Sequence, residues 1–166
     1  MKKVDYRHFG RFVYPHTLTA RGKDLYFCVK KANFNENCYR SDLYLLRDGH
    51  VRPLTSSGDV GEYHLLDDHI VFASLRKKKD RETAAKSIPL TVLQGLPYDG
   101  GEAQELLRLP YSVTGMCFLS EKRFFFTAKV SREFEAARAV CNGNAEKAAA
   151  LVKEDSDYRV LDEIPF

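Results

Sequence analysis

Short apolar runs alternate with turn-forming residues along most of the chain, a pattern typical of an all-β protein. The runs are rich in Tyr, Phe, Val, Ile and Leu, and they are separated by Gly, Asp, Asn and Pro. Three of the runs follow a turn-like segment in the same way and begin at Leu25, Ile70 and Phe124. Their spacing predicts a repeated structural unit of about 45 to 54 residues.

A second series of strands lies between the members of the first. Leu43 and Leu90 belong to apolar runs that lie 47 residues apart, and each run leads into a turn and a more polar strand. Each unit therefore supplies a weak strand, an apolar strand, a half-apolar strand and a polar edge strand. Four antiparallel strands in about 40 to 50 residues are typical of a β-propeller blade. A β-sandwich with coincidental spacing is the alternative.

The polarity of the strands fits blades that pack face to face. Phe124, Phe125 and Phe126 are apolar at successive positions, which predicts an inner strand covered on both faces. The outermost strands are polar and carry Arg52, Thr55, Gln104, Glu105 and Arg108. We expect blade 1 over about 12–56, blade 2 over about 60–109 and an incomplete blade 3 over about 112–166.

The period changes from 2 to 3.6 within the third unit. Residues 132–153 are mostly helix formers, and their apolar positions recur at helical spacing. Gly143 is expected to end a first helix and Asn144 to cap a second one. Residues 158–162 return to strand character. The predicted fold is all-β, a partial β-propeller of four-stranded antiparallel blades with a helical insertion in the third blade.

The composition is that of a globular protein. The chain has 166 residues, 44% of them hydrophobic and 30% charged, which excludes a disordered or collagen-like chain. The net charge of +3 is too small to argue for a nucleic-acid partner. The longest basic run, residues 76–81, is expected at a solvated hairpin tip, with a patch for an anionic partner as the alternative.

The four cysteines show neither a C-x-x-C pair nor zinc-finger spacing. Cys28 and Cys117 lie in apolar runs and are predicted to be buried, reduced thiols. The first seven residues lack the apolar segment of a signal peptide, and no run is long enough to span a membrane. We therefore expect a cytoplasmic protein that binds neither a membrane, a metal nor a cofactor.

Candidate catalytic side chains are sparse. His64 and His69 are flanked by acidic residues but fall around a predicted tight turn, so we expect turn and surface residues and not metal ligands. No segment has the G-x-S-x-G pattern of a hydrolase nucleophile, and the nearest, Gly115–Leu119, has Cys in place of Ser. The sequence therefore predicts no catalytic residue in this chain, which disfavours a small self-contained hydrolase.

Five segments read, in chain order, FNENCYRSDLY, RPLT, FASLRKKKD, GGEAQEL and, at the end, DYRVLDEIPF. Together they resemble the N-terminal propeller of prolyl-oligopeptidase-family serine peptidases, in the acylaminoacyl-peptidase and dipeptidyl-peptidase-like branch. The resemblance covers nearly the whole chain. The Ser-Pro-Asp-Gly turn usual in that family is replaced by residues 19–22 and 66–69, and His69 stands where the second turn would have glycine.

The resemblance implies a two-part enzyme in which the propeller caps an α/β-hydrolase domain and restricts access to peptide substrates. The parent enzyme would use a Ser-His-Asp triad supplied outside this chain, so the chain alone is expected to lack activity. Dipeptidyl-peptidase relatives hold the amino terminus of a substrate with propeller-borne glutamates, which makes Glu133 and Glu135 candidate substrate-binding residues. Alternatively, these two acids only favour the positive end of a helix dipole.

A stand-alone propeller-like binding or scaffold module without an enzyme partner is the alternative function, closed into a ring by two or more copies. Two complete units and one interrupted unit are fewer than the four blades at which propellers typically close. We therefore expect exposed blade edges through which the chain associates with itself.

Overall fold

The structure is a computed structural model that describes residues 6–120 and 123–157. The chain divides into two compact units. One unit holds nearly all of two four-stranded sheets, and the other holds three helices. The strands of a third, two-stranded sheet contribute to both units.

The first sheet follows a 3₁₀ helix at Tyr6–Arg11 and is antiparallel throughout. Its strands lie side by side in chain order: β1 (Val13–Arg21), β2 (Asp24–Asn33), β3 (Cys38–Arg47) and β4 (His50–Pro53). Asp48 and Gly49 both have positive φ, which is the geometry of the tight hairpin turn that an Asp-Gly pair favours. Gly22, at φ +62°, likewise confirms the turn predicted before β2.

The second sheet repeats this chain order. It comprises β5 (Tyr63–Leu65), β6 (His69–Ala73), β7 (Thr91–Pro97) and β8 (Gln104–Leu109). The basic run was expected at a simple hairpin tip, and this is wrong, because the connection between β6 and β7 contains helix α1 (Lys78–Ala85). Lys, Arg, Glu and Ala are all good helix formers, and this intrinsic preference outweighs the scarcity of apolar residues in the segment.

The third region combines a small sheet with two helices, as the change of period predicts. Its elements are β9 (Ser112–Ser120), β10 (Arg123–Lys129), α2 (Arg132–Val140) and α3 (Ala145–Asp157). Gly143 has φ +80° beyond the end of α2, and the Lys147 N–H donates to Asn144 Oδ1 over 3.0 Å at the start of α3. Both predicted helix boundaries are confirmed. The strand expected at 158–162 lies outside the described residues.

The main core lies between the two four-stranded sheets. Alternate residues of β2 and β3 point toward it, and β6 and β7 supply the opposing layer. The fully buried members include Tyr26, Cys28, Leu43, Leu45, Ile70, Phe72 and Leu96. Burial also raises the pKa of the Cys28 thiol to about 11. Two consecutive antiparallel sheets packed through one apolar layer make this chain an all-β, open and partial propeller. The exact blade boundaries stay a prediction.

A β-bulge interrupts β1 between His16 and Thr19. Within it, Thr17 adopts φ +52°, a conformation unusual for a β-branched residue. The Tyr63 hydroxyl lies 2.6 Å from the Thr17 carbonyl oxygen and 2.7 Å from the Tyr26 carbonyl oxygen, and its one hydrogen is shared between these two acceptors. A side chain of the second sheet thus serves two backbone carbonyls of the first.

Charged groups also connect the two sheets. Arg47 of β3 donates to both carboxylate oxygens of Asp24, at 2.9 and 2.6 Å, and to Asp99 in the loop after β7, at 2.7 Å. The Arg47 hydrogen bond holds the pKa of Asp24 below its usual range. The Arg21 guanidinium lies 3.8 Å from the centre of the Tyr98 ring.

Two burial predictions for the third region are wrong. Phe125 is 67% exposed and Phe126 is 39% exposed, although their strand was expected to be covered on both faces. Cys117 is also exposed. In the described part of the chain, β9 and β10 pair only with each other. A two-stranded sheet cannot cover its own faces, so side chains on both faces of β10 remain in solvent.

Tyr63→Phe removes the hydroxyl that serves the Thr17 and Tyr26 carbonyls. We expect the free energy of unfolding to fall by about 1–3 kcal/mol, because the buried Tyr26 carbonyl and the part-buried Thr17 carbonyl lose their donor. Urea denaturation followed by circular dichroism measures the change. Tyr39→Phe is the matched control, since Tyr39 is 62% exposed, and it should change the stability by less than about 0.5 kcal/mol. Equal effects in the two variants would contradict the role assigned to Tyr63.

Candidate functional site

The two predicted substrate-binding glutamates lie in the first turn of α2. Ser131 caps this helix, because its Oγ accepts the Phe134 N–H over 3.2 Å, and the same hydroxyl donates to Glu133 Oε2 over 3.3 Å. Glu135 lies 4.0 Å from Arg138, one turn further along. Both glutamates are exposed. Their carboxylates are thus open to a ligand while they also stabilise the positive end of the helix.

Packing of the helices fixes the position of α2. Phe134 and Ala137 are buried against Ala148 of α3, and Ile88 packs against the same cluster. This small core holds the first turn of α2, so that its acidic side chains project from a fixed backbone. A role for Glu133 and Glu135 in substrate binding stays a prediction.

The helical unit also contains a groove beside α1 and α3. The cavity has a volume of about 740 Å³, and Ala85, Ser87, Ala149 and Val152 line it. Lys86 and Glu146 close one side with a 3.0 Å ion pair. The hydrogen bond from Lys86 lowers the pKa of Glu146. This pair neutralises itself, and the groove combines a small apolar floor with a second lysine, Lys153, in its lining.

The sequence predicted that His64 and His69 are turn and surface residues, and the structure supports this only for His69. His69 begins β6 and contacts the Asp68 carboxylate, as expected for a residue beside a turn. His64 instead lies half-buried within β5, with its ring 4.9 Å from that of Phe118, so its assignment as a turn or surface residue is wrong. Its Nε2 is buried and has no hydrogen-bond partner among residues 6–120 and 123–157, and burial lowers the pKa of His64.

A hydrogen-bonded serine and histidine appear on the first sheet that the sequence does not reveal. His16 Nε2 lies 3.1 Å from the Oγ of the buried Ser41, and His16 Nδ1 lies 2.9 Å from Thr17 Oγ1. Burial, and secondarily the charge of Lys30, lowers the pKa of His16. The segment has no Gly or Asn to signal the bulge that brings these groups together.

This arrangement differs from the Ser-His pair of a catalytic triad in two respects. The second ring nitrogen contacts the uncharged Thr17 hydroxyl and not a carboxylate, so this contact supplies no negative charge to stabilise a protonated imidazole. Ser41 is also only 6% exposed, which leaves a substrate carbonyl no room to approach its Oγ. The contacts of His16 therefore hold the bulge of β1 against β3.

Over residues 6–120 and 123–157, no three His, Cys, Asp or Glu side chains come together as potential metal ligands. The described helices are all too short or too polar to cross a bilayer.

Comparisons with known proteins give a distant structural likeness. No protein-family model and no curated protein matches the chain. Among solved structures, the chain is similar to the β-propeller domain of the Trilobed protease from Pyrococcus furiosus, described as having an open velcro topology. The two are 14% identical with a TM-score of 0.46, and the match covers 76% of this chain but 37% of that one. The propeller description therefore rests on the sheet order and packing given above. Membership in the prolyl-oligopeptidase family stays a prediction.

His64→Phe should reduce the pH dependence of stability while keeping the contact with Phe118. The pKa of His64 is depressed from 6.5 in the folded chain, so the unfolded chain binds more protons below about pH 6.5. Above about pH 6.5, His64 is neutral in both states and costs the folded chain no stability. As the pH falls from about 6.5 towards the pKa of the folded state, protonation of the unfolded chain lowers the free energy of unfolding of the wild type. His16 adds a contribution of the same sign.

Urea unfolding at pH 7.5 and pH 5.5 measures this difference. We expect a smaller loss between the two pH values for His64→Phe than for the wild type. His50→Gln, at the exposed start of β4, is the control and should behave as the wild type does. An unchanged pH dependence in His64→Phe would show that His64 is not buried in its neutral form.

Proposed function

We propose that this chain is a non-catalytic, substrate-gating propeller segment of a serine exopeptidase of the acylaminoacyl-peptidase type. The observation that carries the proposal is the pair of consecutive four-stranded sheets packed through one apolar layer. This architecture agrees with the sequence resemblance, which spans both sheets and the helical region. The α/β-hydrolase domain that performs the acyl transfer would lie outside these residues.

In this proposal, the propeller selects peptides by size and orients them. A ring of blades limits the width of the path to the active site, so a folded protein is excluded while a peptide enters. Glu133 and Glu135 would bind the ammonium group of a peptide with a free amino terminus through charge-assisted hydrogen bonds. Their exposure on a backbone fixed by Phe134 supports this role.

The compartment proposed for the parent enzyme is the cytoplasm. Cys28, Cys38, Cys117 and Cys141 are all free thiols in the structure. A reducing compartment keeps exposed thiols such as Cys38 and Cys117 in this state.

The test uses the full reading frame, which should extend beyond the codon for Phe166 and encode a G-x-S-x-G segment. The product should hydrolyse acyl-peptide or aminoacyl chromogenic substrates, whereas residues 1–166 alone should not. We expect Glu133→Gln combined with Glu135→Gln to raise KM for peptides with a free amino terminus about 10-fold or more, since a charge-assisted hydrogen bond contributes about 1.5–3 kcal/mol.

Two controls make this experiment specific. N-acylated peptides lack the ammonium group, so their KM should not change in the double variant. Glu82→Gln, on the exposed surface of α1, should leave both KM values unchanged. A stop codon after Phe166 would reject the peptidase assignment, and an unchanged KM for free-amino peptides would reject the role of the two glutamates.

The second candidate function is a stand-alone propeller-like binding or scaffold module. A cavity of about 410 Å³ on the outward face of the first sheet favours it, because this volume is within the usual range for small-ligand sites. Such a module would bind its ligand without an enzyme partner.

We also propose that residues 1–166 associate with themselves through exposed sheet edges and faces. Phe125 at 67% exposed, Leu119 at 59% and Val51 at 58% are large apolar side chains in strands or at their ends. Sedimentation velocity over a hundredfold range of concentration should show a sedimentation coefficient that rises with concentration. Phe125→Lys should reduce this rise. A monomer at every concentration would contradict the proposal.

A further inference from the structure

A cavity lies on the face of the first sheet that points away from the main core. It is centred where β2 and β3 approach their connecting hairpin, and its volume is about 410 Å³. Lys31 and Arg40 contribute its cationic groups, Phe34 and Tyr44 its aromatic walls, and Asp42 its acidic group. The main core uses the other face of these strands, so these five side chains are not required for it.

The two cations occupy an unfavourable arrangement. Lys31 and Arg40 are directly paired in the antiparallel register of β2 and β3. Like charges at opposed positions of a sheet destabilise it. An anion bound between Lys31 and Arg40 would reduce this repulsion and stabilise the sheet.

Among the described residues, an ion pair neutralises Arg40 but not Lys31. Glu36 in the hairpin accepts hydrogen bonds from Arg40 at 2.7, 2.8 and 3.2 Å, and one from Asn33 at 3.1 Å. In the described part of the chain, no carboxylate lies within 4.0 Å of the Lys31 ammonium. The positive charge of Lys31 therefore lies at one end of the cavity, beside a guanidinium that Glu36 holds in place, while Asp42 contributes a negative charge to the lining.

Aromatic contacts position Lys31 and form the walls. The Lys31 Nζ lies 3.4 Å from the Tyr44 hydroxyl oxygen and 5.8 Å from the centre of its ring. The Tyr44 ring stacks on Phe27 with a centroid distance of 6.0 Å and an angle of 22°, which fixes its orientation. Phe34 is 56% exposed, and its ring packs over Gly10, where any side chain would collide with it.

Asp42 limits how much negative charge the cavity can accept. It lies two residues from Arg40 on the same face of β3, and its Oδ1 accepts the Thr55 hydroxyl and the Gly58 N–H at 3.0 and 2.9 Å. A second anionic group on a ligand would meet this carboxylate. The cavity thus suits a ligand with one negative charge at the end formed by Lys31 and Arg40.

We propose that this cavity is a binding site for an aromatic monocarboxylate. The carboxylate lies between Lys31 and Arg40, and the aromatic ring packs against Tyr44 and Phe34. This chemistry occurs both in free aromatic acids and in the carboxyl-terminal Phe or Tyr of a peptide. The site does not depend on the peptidase assignment, because all of its groups belong to the first sheet and its hairpin.

The test titrates the full chain at low salt with 3-phenylpropionate and with a hexapeptide that ends in a free Phe carboxylate. Isothermal titration calorimetry measures affinity, and ¹H–¹⁵N NMR shifts should change around the hairpin and Tyr44. The amide of each probe should bind at least 10-fold more weakly, because it lacks the charge. Preferential binding of the first probe identifies a site for free acids, and preferential binding of the second identifies a site for peptide ends.

Neighbouring lysines supply a matched pair of variants. Lys31→Met should weaken binding about 10-fold or more, whereas Lys30→Met should leave it unchanged, since Lys30 is also exposed and points to the opposite face of β2. Tyr44→Leu tests the aromatic wall and should also weaken binding. The proposal is overturned if neither acid binds at millimolar concentration, if the amides bind as well as the acids, or if the two lysine variants lose affinity equally.

Discussion

Burial of one apolar layer between two consecutive sheets is the constraint on which the rest of this structure depends. Neither four-stranded sheet can exclude water from its own apolar face. Full burial of a single large aliphatic side chain contributes about 1.5–3 kcal/mol, and Leu43, Leu45, Ile70 and Leu96 are all buried in this layer. The turns, the bulge and the connecting loops are therefore arranged so that these two faces meet.

Polar groups determine how the two sheets meet. An apolar layer alone tolerates sliding, because hydrophobic contacts have little directionality. The Tyr63 hydroxyl and the Arg47 guanidinium have fixed geometry and reach named acceptors on the other sheet. Their contacts specify one relative position, in which the Tyr63 hydroxyl reaches the Thr17 carbonyl oxygen of the bulge. The outward face of the first sheet takes no part in the packing of the two sheets. Lys31, Arg40 and Tyr44 on this face form the binding site proposed above.

Local patterns predicted the strands and turns of this fold but not their surroundings. The runs beginning at Leu25 and Ile70 form strands, and Gly143 ends a helix, because alternation, period and backbone preference act over a few residues. Helix α1 has few apolar positions, so only the intrinsic preference of its residues signals it. The exposure of Phe125 depends on what covers its strand, and the His16–Ser41 contact depends on a bulge without a turn-forming residue. Sequence alone contains neither fact.

The four free cysteines differ in their accessibility to alkylating reagents, and this difference can report on opening of the fold. Cys28 lies in the central layer, where burial raises its pKa to about 11 and access of a reagent is blocked. Only the thiolate reacts readily with an alkylating reagent. Cys38 and Cys117 lie at the surface and can be modified while the fold is intact. Alkylation of Cys28 consequently requires that the two sheets separate, so its rate reports how often that separation occurs in the native chain.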